Sequence, residues 1–312
     1  MELVRGLYNL QPRHRGCVAT IGNFDGLHLG HQKMLQALRV RAKELGVPAA
    51  VISFEPLPRE YLATGAVPPR LMRFREKFAA LADCGIDRFV CLRFDERMKA
   101  VSPEEFIERI LIDQLQVKWL VAGEDFRFAR NRQGEIATLR SHGLTHGYGV
   151  DVVEPLFLDG ERVSSSLVRA ALASGDMARA RRLLGRSYRM SGKVVEGQLL
   201  GRTLGFPTAN VRLLRRSTAL AGVFAVRVSG AGLNRAPGVA NLGTRPAIEN
   251  GEHEPLLEAH VFDFAGNLYR QMVHVDFEVR LRDEVWFPSL EALTEQIRAD
   301  AAQARQLLGA GA

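Results

Sequence analysis

Short apolar segments alternate with longer segments of helical periodicity through the first half of the chain. The short segments are rich in β-branched residues and predict buried strands at Cys17–Ile21, Ala49–Phe54, Arg88–Leu92, Lys118–Ala122 and Val150–Val153. Strands that alternate with helices predict an α/β domain with a parallel, doubly wound sheet. Ligands bind such sheets at the carboxyl ends of the strands, so we expect the chemistry to lie in the loops that follow them.

The pattern changes after Gly185, where strand-like segments follow one another with only turns between them. The predicted strands are Ser191–Glu196, Val223–Val228, Gly238–Asn241, Leu257–Phe264 and Gln271–Leu281. This succession predicts an antiparallel β-barrel. A closing helix follows, with Ser289 as its N-cap and an inward apolar stripe of Leu290, Leu293, Ile297, Ala301 and Leu308. We therefore predict two domains, at residues 1–185 and 186–312.

The composition is that of an ordinary soluble protein. Apolar residues make up 46% and charged residues 25% of the 312 residues. No apolar run approaches the ~18 residues of a membrane span, and the N-terminus has no signal-peptide core. The cysteines, 3 in number and without C-x-x-C spacing, favour free thiols in a reducing cytoplasm over disulfides or a zinc site. We expect a cytoplasmic protein without a membrane partner.

The net charge of +7 raises the question of nucleic acid, because basic surfaces bind phosphate backbones. The basic residues, however, are mostly arginines that are spread along the whole chain. Their densest cluster, from Arg179 to Arg189, falls at the predicted domain junction, where a solvated helix face is the simpler interpretation. Anionic nucleotide substrates would account for the sign of the charge, and we expect no nucleic-acid partner.

The run from Gly22 to His31 reads G-N-F-D-G-L-H-L-G-H and joins the first predicted strand to a helix that ends at Gly46. Such a turn aims backbone N–H groups and the positive helix end at an anion. His28 and His31 are three residues apart and would share one helix face. Two imidazoles there can donate hydrogen bonds to the charge that develops on an attacked phosphate. Two surface histidines at a helix start are the alternative, which this context disfavours.

Three further loops carry candidate binding residues. Phe54 and Pro56 follow the second strand, and the phenylalanine ring could stack on an aromatic ligand. Asp125 and Phe128 lie in the G-E-D-F-R-F run after the fourth strand. For either loop a turn with one buried phenylalanine is an equally good interpretation. Ser164–Arg169 reads S-S-S-L-V-R, in which serines are common helix caps and the arginine is placed to neutralise a pyrophosphate.

These motifs resemble a known family. Gly22–His31 resembles the H-x-G-H signature of nucleotidylyltransferases, and its G-N-F-D-G opening is similar to the FMN adenylyltransferase module of prokaryotic bifunctional riboflavin kinase/FAD synthetases. Ser164–Arg169 resembles the S-S-T-x-x-R element of that module. The sequence departs from the family at residues that concern flavin contacts rather than the reaction, namely Leu57, Glu124, Ala129 and Ser166.

The resemblance implies a Rossmann-like nucleotidylyltransferase domain and a role for each matched residue. It implies catalysis by His28, His31 and Arg169. It implies ATP binding by Gly22, Asn23, Phe24, Asp25, Gly26, His28, His31, Ser164, Ser165 and Arg169. It implies flavin binding by Phe54, Pro56, Asp125 and Phe128.

In the second half, the run from Gly201 to Asn210 reads G-R-T-L-G-F-P-T-A-N. Thr208 and Asn210 are two residues apart, so in an extended segment their oxygens would lie on one side. Such oxygens can coordinate Mg²⁺ together with waters and phosphates. A tight loop capped by the same two residues is the alternative, and the spacing alone favours that loop.

The second half also resembles a family, that of the riboflavin kinases. Gly205–Asn210 resembles its G-x-P-T-A-N fingerprint, and similar elements lie at Gly192–Gly197, Gly238–Pro246, Leu257–His260 and Arg282–Phe287, with departures at Ala247 and Arg270. The resemblance implies that Glu258 is the base that accepts a proton from the ribityl hydroxyl. It implies Mg²⁺ ligation by Thr208 and Asn210, and ATP binding by Gly192, Lys193, Gly197, Phe206, Pro207, Thr208 and Asn210.

The two resemblances together cover almost the whole chain and imply a bifunctional enzyme. Its barrel would phosphorylate riboflavin to FMN with ATP and Mg²⁺, and its first domain would transfer AMP from ATP to FMN, giving FAD and pyrophosphate. One alternative is a nucleotidylyltransferase with another acceptor, against which the flavin-type loops argue. A second is a flavin-binding or regulatory module with an inactive kinase half, against which Thr208, Asn210 and Glu258 argue.

Overall fold

The computed structural model describes residues 1–197, 205–246 and 253–310, and the chain divides into two compact units. The first unit consists of Met1–Val67 and Lys77–Val163, and the second of Pro68–Glu76 and Ser164–Ala312. Ala247 and residues 201–204 of the predicted magnesium loop lie outside the described residues. Our division of the chain after residue 185 remains a prediction, which a fragment can test.

A six-stranded parallel sheet forms the centre of the first unit. Its strands are β1 (Glu2–Arg5), β2 (Val18–Ile21), β3 (Ala49–Glu55), β4 (Arg88–Arg93), β5 (Trp119–Gly123) and β6 (Gly149–Val153), in the spatial order β1-β4-β3-β2-β5-β6. Every neighbouring pair is parallel, which confirms the predicted sheet. The chain winds outward in both directions from β2, which pairs with β3 on one side and β5 on the other. Such a switch point opens a crevice at the strand ends, and the loop after β2 begins there.

Helices connect these strands. They are α1 (Leu29–Leu45), α2 (Pro58–Tyr61), α3 (Phe74–Asp83), α4 (Glu96–Ala100), α5 (Pro103–Glu105), which continues as a π-helix over Phe106–Gln114, and α6 (Ile136–His146). Helix α1 ends at Gly46 in the left-handed conformation that the sequence predicts for a glycine cap. All four residues of β2 are buried, as expected of a central parallel strand. Strand β1 was not predicted, because its sequence E-L-V-R offers only two apolar side chains.

The second unit contains a closed antiparallel barrel, as predicted. Its strands are β9 (Tyr188–Val195), β10 (Ala209–Arg212), β11 (Gly222–Gly230), β12 (Leu233–Pro246), β13 (His253–Val261) and β14 (Met272–Arg282). Their spatial order is β10-β13-β12-β11-β14-β9. Strands β7 (Phe157–Leu158) and β8 (Glu161–Arg162) form a separate hairpin, which belongs to the first unit. Pairing of β10 with β9 closes the barrel. Strand β10 was not among the predicted strands, because four residues beside Gly and Pro give little periodic signal.

In the part of the second unit that the structure describes, three helices accompany the barrel: α7 (Ser165–Ala173), α8 (Met177–Leu184) and α9 (Leu290–Leu308). Ser289 caps α9 as predicted, and the helix buries Ala301 and Ala304 against an apolar cluster of the barrel. The prediction that Leu290 faces inward is wrong, since its side chain is 54% exposed. The contact with the barrel is made instead by the small side chains in the later turns of the helix. Within the described ranges no helix is long and apolar enough to cross a membrane.

The segment Pro68–Glu76 belongs to the second unit although its neighbours in sequence belong to the first. The Tyr188 hydroxyl donates to the carbonyl of Leu71 at 3.0 Å. Arg215 donates to the carbonyl of Arg70 at 2.8 Å and pairs with Glu76 at 2.5 Å, with both side chains of the pair buried. A buried charge needs such partners, so this segment completes the environment of Arg215.

Candidate active sites

The loop after β2 is held in a conformation that few residues adopt. Phe24 and Leu27 have φ angles of 48° and 43°, and Gly26 has a φ of 89°. The Phe24 ring is fully buried and anchors the turn, and a side chain at Gly22 would meet that ring at 3.1 Å. The packing of the Phe24 ring offsets the energetic cost of the strained backbone, and the turn directs the following residues into the first turn of α1.

His28 and His31 lie together at the start of α1. The helix begins at Leu29, and His28 is its N-cap, with Nδ1 accepting a hydrogen bond from the N–H of His31 at 3.3 Å. The two rings stack with centroids 3.6 Å apart. Because Nδ1 of His28 acts as an acceptor, its proton resides on Nε2, which remains a donor.

The environment of His31 keeps its ring neutral. Burial lowers the pKa of His31 well below its ordinary value, and the nearby His28 and Lys77 lower it further. The buried Nδ1 of His31 has no hydrogen-bond partner among the residues that the structure describes. A buried nitrogen in this state is a candidate for contact with a ligand.

Asp25 is also buried, and it is paired with a residue that the sequence did not single out. Arg59 lies in α2, directly after the predicted loop that contains Phe54 and Pro56, and it donates to the Asp25 carboxylate at 2.6 Å. The buried Nε of Arg59 has no partner within the described ranges. The only sequence signal for this residue was its position directly after the Phe54–Pro58 loop at a strand end.

The predicted flavin residues of the first unit are placed differently from one another. Phe54 is partly buried against the core and meets the Phe94 ring edge-on, with centroids 5.8 Å apart. Asp125 accepts a hydrogen bond from Arg162 at 2.7 Å, which lowers the pKa of the carboxyl group. Phe128 is buried in the core, 6% exposed, with the partly buried Phe126 stacked on it. Flavin contact by Phe128 therefore stays a prediction, and the ring of Phe126 is the more accessible one.

The serine–arginine element opens α7 in the second unit, whereas His28 and His31 belong to the first. The Ser164 hydroxyl caps the helix by accepting from the N–H of Leu167 at 3.1 Å. Arg169 donates from Nε to the carbonyl of Pro69 at 2.7 Å. The helix cap by Ser164, which is the simpler interpretation of this motif, is therefore present in the structure.

On the barrel, strand register brings the predicted kinase residues together. Glu258 on β13 is directly opposite Asn210 on β10, so the two side chains project from one face. Asn210 is buried, and its Oδ1 has no partner in the described part of the chain. A side chain at Gly197 would collide with the Asn210 amide, so this glycine lies directly against Asn210. At Gly192 a side chain would instead collide with the backbone of β10, so this glycine allows close strand packing.

The Phe206–Thr208 loop is fixed to β13 by a residue to which the sequence assigned no role. His260 makes a 2.8 Å hydrogen bond through Nδ1 to the carbonyl of Pro207, and its ring meets that of Phe206 edge-on. A cavity of about 490 Å³ adjoins this loop, with Pro207, Thr208, Val261, Phe264, Leu268 and Tyr269 among its lining residues. Lys193 is exposed on β9.

Comparison with known proteins identifies both halves. A family model described as FAD synthetase matches residues 10–167, and one described as riboflavin kinase matches residues 184–308. The chain is 50% identical over 307 residues to the bifunctional riboflavin kinase/FMN adenylyltransferase of Pseudomonas fluorescens, covering 98% of each chain. It is 44% identical over 310 residues to the protein of the same name from Escherichia coli (strain K12), covering 99% of this chain and 98% of the relative.

A solved structure is also similar. It is that of a Streptococcus pneumoniae protein described as a macrolide-efflux protein, with a TM-score of 0.85 and 26% identity. The likeness covers 98% of this chain and 99% of that one.

Proposed function

The chain belongs to the bifunctional riboflavin kinase/FMN adenylyltransferase family, and from this premise we propose which residues carry each of its two reactions. The C-terminal domain phosphorylates riboflavin to FMN with ATP. The N-terminal domain transfers AMP from ATP to FMN, giving FAD and pyrophosphate. The presence of both family domains in one chain, in this order, is the observation that carries the assignment.

In the adenylyltransferase site, the loop after β2 binds the phosphates of ATP. The N–H of Gly22 donates to the carbonyl of Ile52 at 3.0 Å, so the anion is bound by backbone N–H groups later in the loop and at the start of α1. His28 and His31 donate hydrogen bonds to the charge that builds up on the α-phosphate. The stacking of the two rings and the cap made by His28 support this role, since both orient the imidazoles at the end of β2. Ser164, Ser165 and Arg169 bind and neutralise the departing pyrophosphate.

Asp25 and Arg59 support that site as a pair. Arg59 holds the buried Asp25 carboxylate, which keeps the turn in shape, and its unpartnered Nε–H can donate to a phosphate. On the flavin side, Phe54 and Pro56 form a stiff wall, Asp125 meets a polar edge of the ring system, and Phe128 contributes its ring to the same flavin site.

In the kinase site, Glu258 accepts the proton of the terminal ribityl hydroxyl as that oxygen attacks the γ-phosphorus of ATP, and ADP departs. Gly192, Lys193, Gly197, Phe206, Pro207, Thr208 and Asn210 bind ATP. Pro207 and Thr208 line the cavity beside their loop, and its room for a nucleotide supports the placement of these two residues.

The residues present also fit Mg²⁺. The buried, unpartnered Oδ1 of Asn210 and the hydroxyl of Thr208 are hard oxygen donors, and Mg²⁺ commonly takes one or two such ligands and completes its shell with waters and phosphates. When bound, the ion supplies charge neutralisation at the transferred phosphate. Loss of one contact to a charged group costs about 1.5–3 kcal/mol, so Asn210→Ala should weaken apparent Mg²⁺–ATP affinity roughly 10- to 100-fold, partly recoverable with excess Mg²⁺.

We further propose that the enzyme acts in the cytoplasm on small-molecule substrates, without a nucleic-acid partner. Its cysteines, Cys17, Cys84 and Cys91, form no disulfide, as expected in a reducing compartment. The test of the whole proposal is incubation with riboflavin, ATP and Mg²⁺, followed by chromatography for FMN and then FAD. Flavin binding without turnover would favour a binding module, and turnover of a different phosphate ester in place of FMN would favour another nucleotidylyltransferase.

A further inference from the structure

Glu258 has an asparagine on each side of it, and only one of the two has a role so far. It lies directly opposite Asn210 on β10 and directly opposite Asn241 on β12. Residues in these positions project from the same face of the sheet, so the three side chains form a row across three strands. Asn241 belongs to a matched motif, but neither the motif nor the chemistry described above gives it a function.

The Asn241 amide has one end that is hydrogen-bonded and one end without a partner within the described residues. Its Nδ2 donates to Oε1 of Glu284 at 2.8 Å, and because a carboxylate only accepts hydrogen bonds, the nitrogen must face that residue. Its Oδ1 is shielded from solvent and has no hydrogen-bond partner within the described residues. An acceptor buried without a partner is costly, so it indicates a place where a ligand donates.

Glu284 is held in the position that orients this amide. It lies in the turn after β14, next to Asp283, whose carbonyl accepts a hydrogen bond from Arg282 at 2.9 Å. Arg282 is in turn paired with Asp300 of α9 at 2.7 Å. The turn is thereby tied to the closing helix, and the Glu284 carboxylate is kept against Asn241.

We propose that Asn241 binds the ribityl chain of riboflavin through Oδ1, and that Glu284 is a positioning residue that presents this oxygen to the substrate. Phosphate oxygens at neutral pH accept hydrogen bonds, so a triphosphate cannot satisfy an amide oxygen. A polyol can, because each of its hydroxyls carries a proton to donate. The inference rests on the proposed role of Glu258. Glu258 deprotonates the terminal ribityl hydroxyl, and Asn241 accepts hydrogen bonds from the other ribityl hydroxyls.

The first experiment compares Michaelis constants of the full-length enzyme. Asn241→Ala should raise KM for riboflavin roughly 3- to 10-fold, as expected for one lost hydrogen bond, and leave KM for ATP and the Mg²⁺ dependence unchanged. Asn234→Ala, which alters an exposed asparagine on the same strand, is the matched control and should change neither constant. An unchanged KM for riboflavin, or a rise confined to ATP or Mg²⁺, would overturn the proposal.

A modified substrate sharpens this test. A flavin with a 5-hydroxypentyl chain keeps the terminal hydroxyl that is phosphorylated and lacks the others. The parent enzyme should bind it less well than riboflavin, and Asn241→Ala should show about the same KM for it as the parent. A penalty from Asn241→Ala that persists with this substrate would show that the residue does not contact the ribityl hydroxyls.

The role of Glu284 requires a different measurement. In Glu284→Gln the new amide can donate to Oδ1 of Asn241 and turn that oxygen away from the site, so KM for riboflavin should rise in the same direction. Added to Asn241→Ala, the change should have no further effect, because it acts only through Asn241. Additive effects would contradict the positioning role.

Folding of the barrel is monitored by thermal melting, while FAD formation from added FMN shows that the other domain is intact. If Asn241→Ala does not fold, Glu284→Gln carries the test through the same constants. Glu258→Gln separates this inference from the proposed function. Normal phosphorylation by that variant would remove the base role of Glu258 and leave the Asn241 result to be judged by itself.

Discussion

In the proposed mechanism, the loop after β2 and the barrel face around Glu258 both serve an attack by oxygen on a phosphorus atom of ATP, yet their side chains are of opposite kinds. The first offers donors: His28, His31 and backbone N–H groups at the start of α1. The second offers acceptors: Asn210, Glu258 and Asn241. The difference follows from the two nucleophiles rather than from the shared chemistry of phosphorus.

The nucleophile of the first domain is the phosphate of FMN, which is largely ionised at neutral pH because its second pKa lies near 6. It has no proton to lose, so the site needs only to position two anions and neutralise charge. The nucleophile of the barrel is an alcohol, whose proton must be accepted as it attacks. A base is required there, and the surrounding oxygens suit a hydroxylated substrate and a metal ion.

The largest expected effect comes from removing that base. Glu258→Gln keeps the size of the side chain but cannot accept the proton, and FMN formation should fall roughly 10²–10⁴-fold. Riboflavin binding should be nearly unchanged, and FAD formation from added FMN should continue at the parent rate. Both activities are measured by chromatography, once from riboflavin and once from FMN. Normal FMN production would mean that the two regions do not differ in their need for a base.

The next effect tests the donor character of the loop after β2. His28→Ser retains a residue that caps helices well but removes the imidazole, so stability should be kept while FAD formation from FMN falls roughly 10²–10³-fold. Riboflavin phosphorylation serves as the internal control. A parent rate of FAD formation would contradict the phosphate role of His28, and a large drop in melting temperature would reduce the residue to a structural cap.

A fragment starting at Arg186 tests whether the two regions are independent. It should convert riboflavin to FMN and stop there, because the described barrel strands and α9 lie within it. It loses Glu76 and the Arg70 and Leu71 carbonyls, however, all of which accept from Arg215, and this loss should cost about 3–5 kcal/mol of stability. Arg215→Met within the fragment should recover part of this loss in urea denaturation. A fragment that folds with parent stability would show that Pro68–Glu76 contributes little, and one that folds but lacks kinase activity would contradict the boundary.

The smallest effect concerns pH and belongs to the donor region. The pKa of His31 is lowered in the folded state, so below its ordinary value of about 6.5 the unfolded chain binds a proton that the folded chain does not. Stability should therefore fall as pH drops from about 6.5 towards the folded pKa, by at most about 1.4 kcal/mol per pH unit. His31→Gln should flatten this part of the stability profile, measured by urea denaturation between pH 7 and 5. Parallel profiles for parent and variant would show that His31 is not responsible.

Local sequence patterns were enough to predict both architectures and the position of the main loops. Alternating strands and helices predicted the parallel sheet, consecutive strands predicted the barrel, and Gly46 ended and Ser289 began a helix as expected. These signals succeed because each acts within a few residues: periodicity reports which face is buried, and caps satisfy backbone groups close in sequence. The short strands β1 and β10 were not predicted, because four residues are too few to show a periodic pattern. They are strands because they pair with neighbouring strands of the sheet and the barrel.

Tertiary structure alone decided which side chains stand together. Asp25 meets Arg59, 34 residues away, and Asn241 meets Glu284, 43 residues away, while Arg215 and Glu76 are separated by 139 residues. Barrel register set an asparagine on each side of Glu258, and a one-residue slip would have turned one of them to the other face. Such pairings depend on the closing of long loops and on the packing of whole elements, for which a local sequence pattern carries no signal.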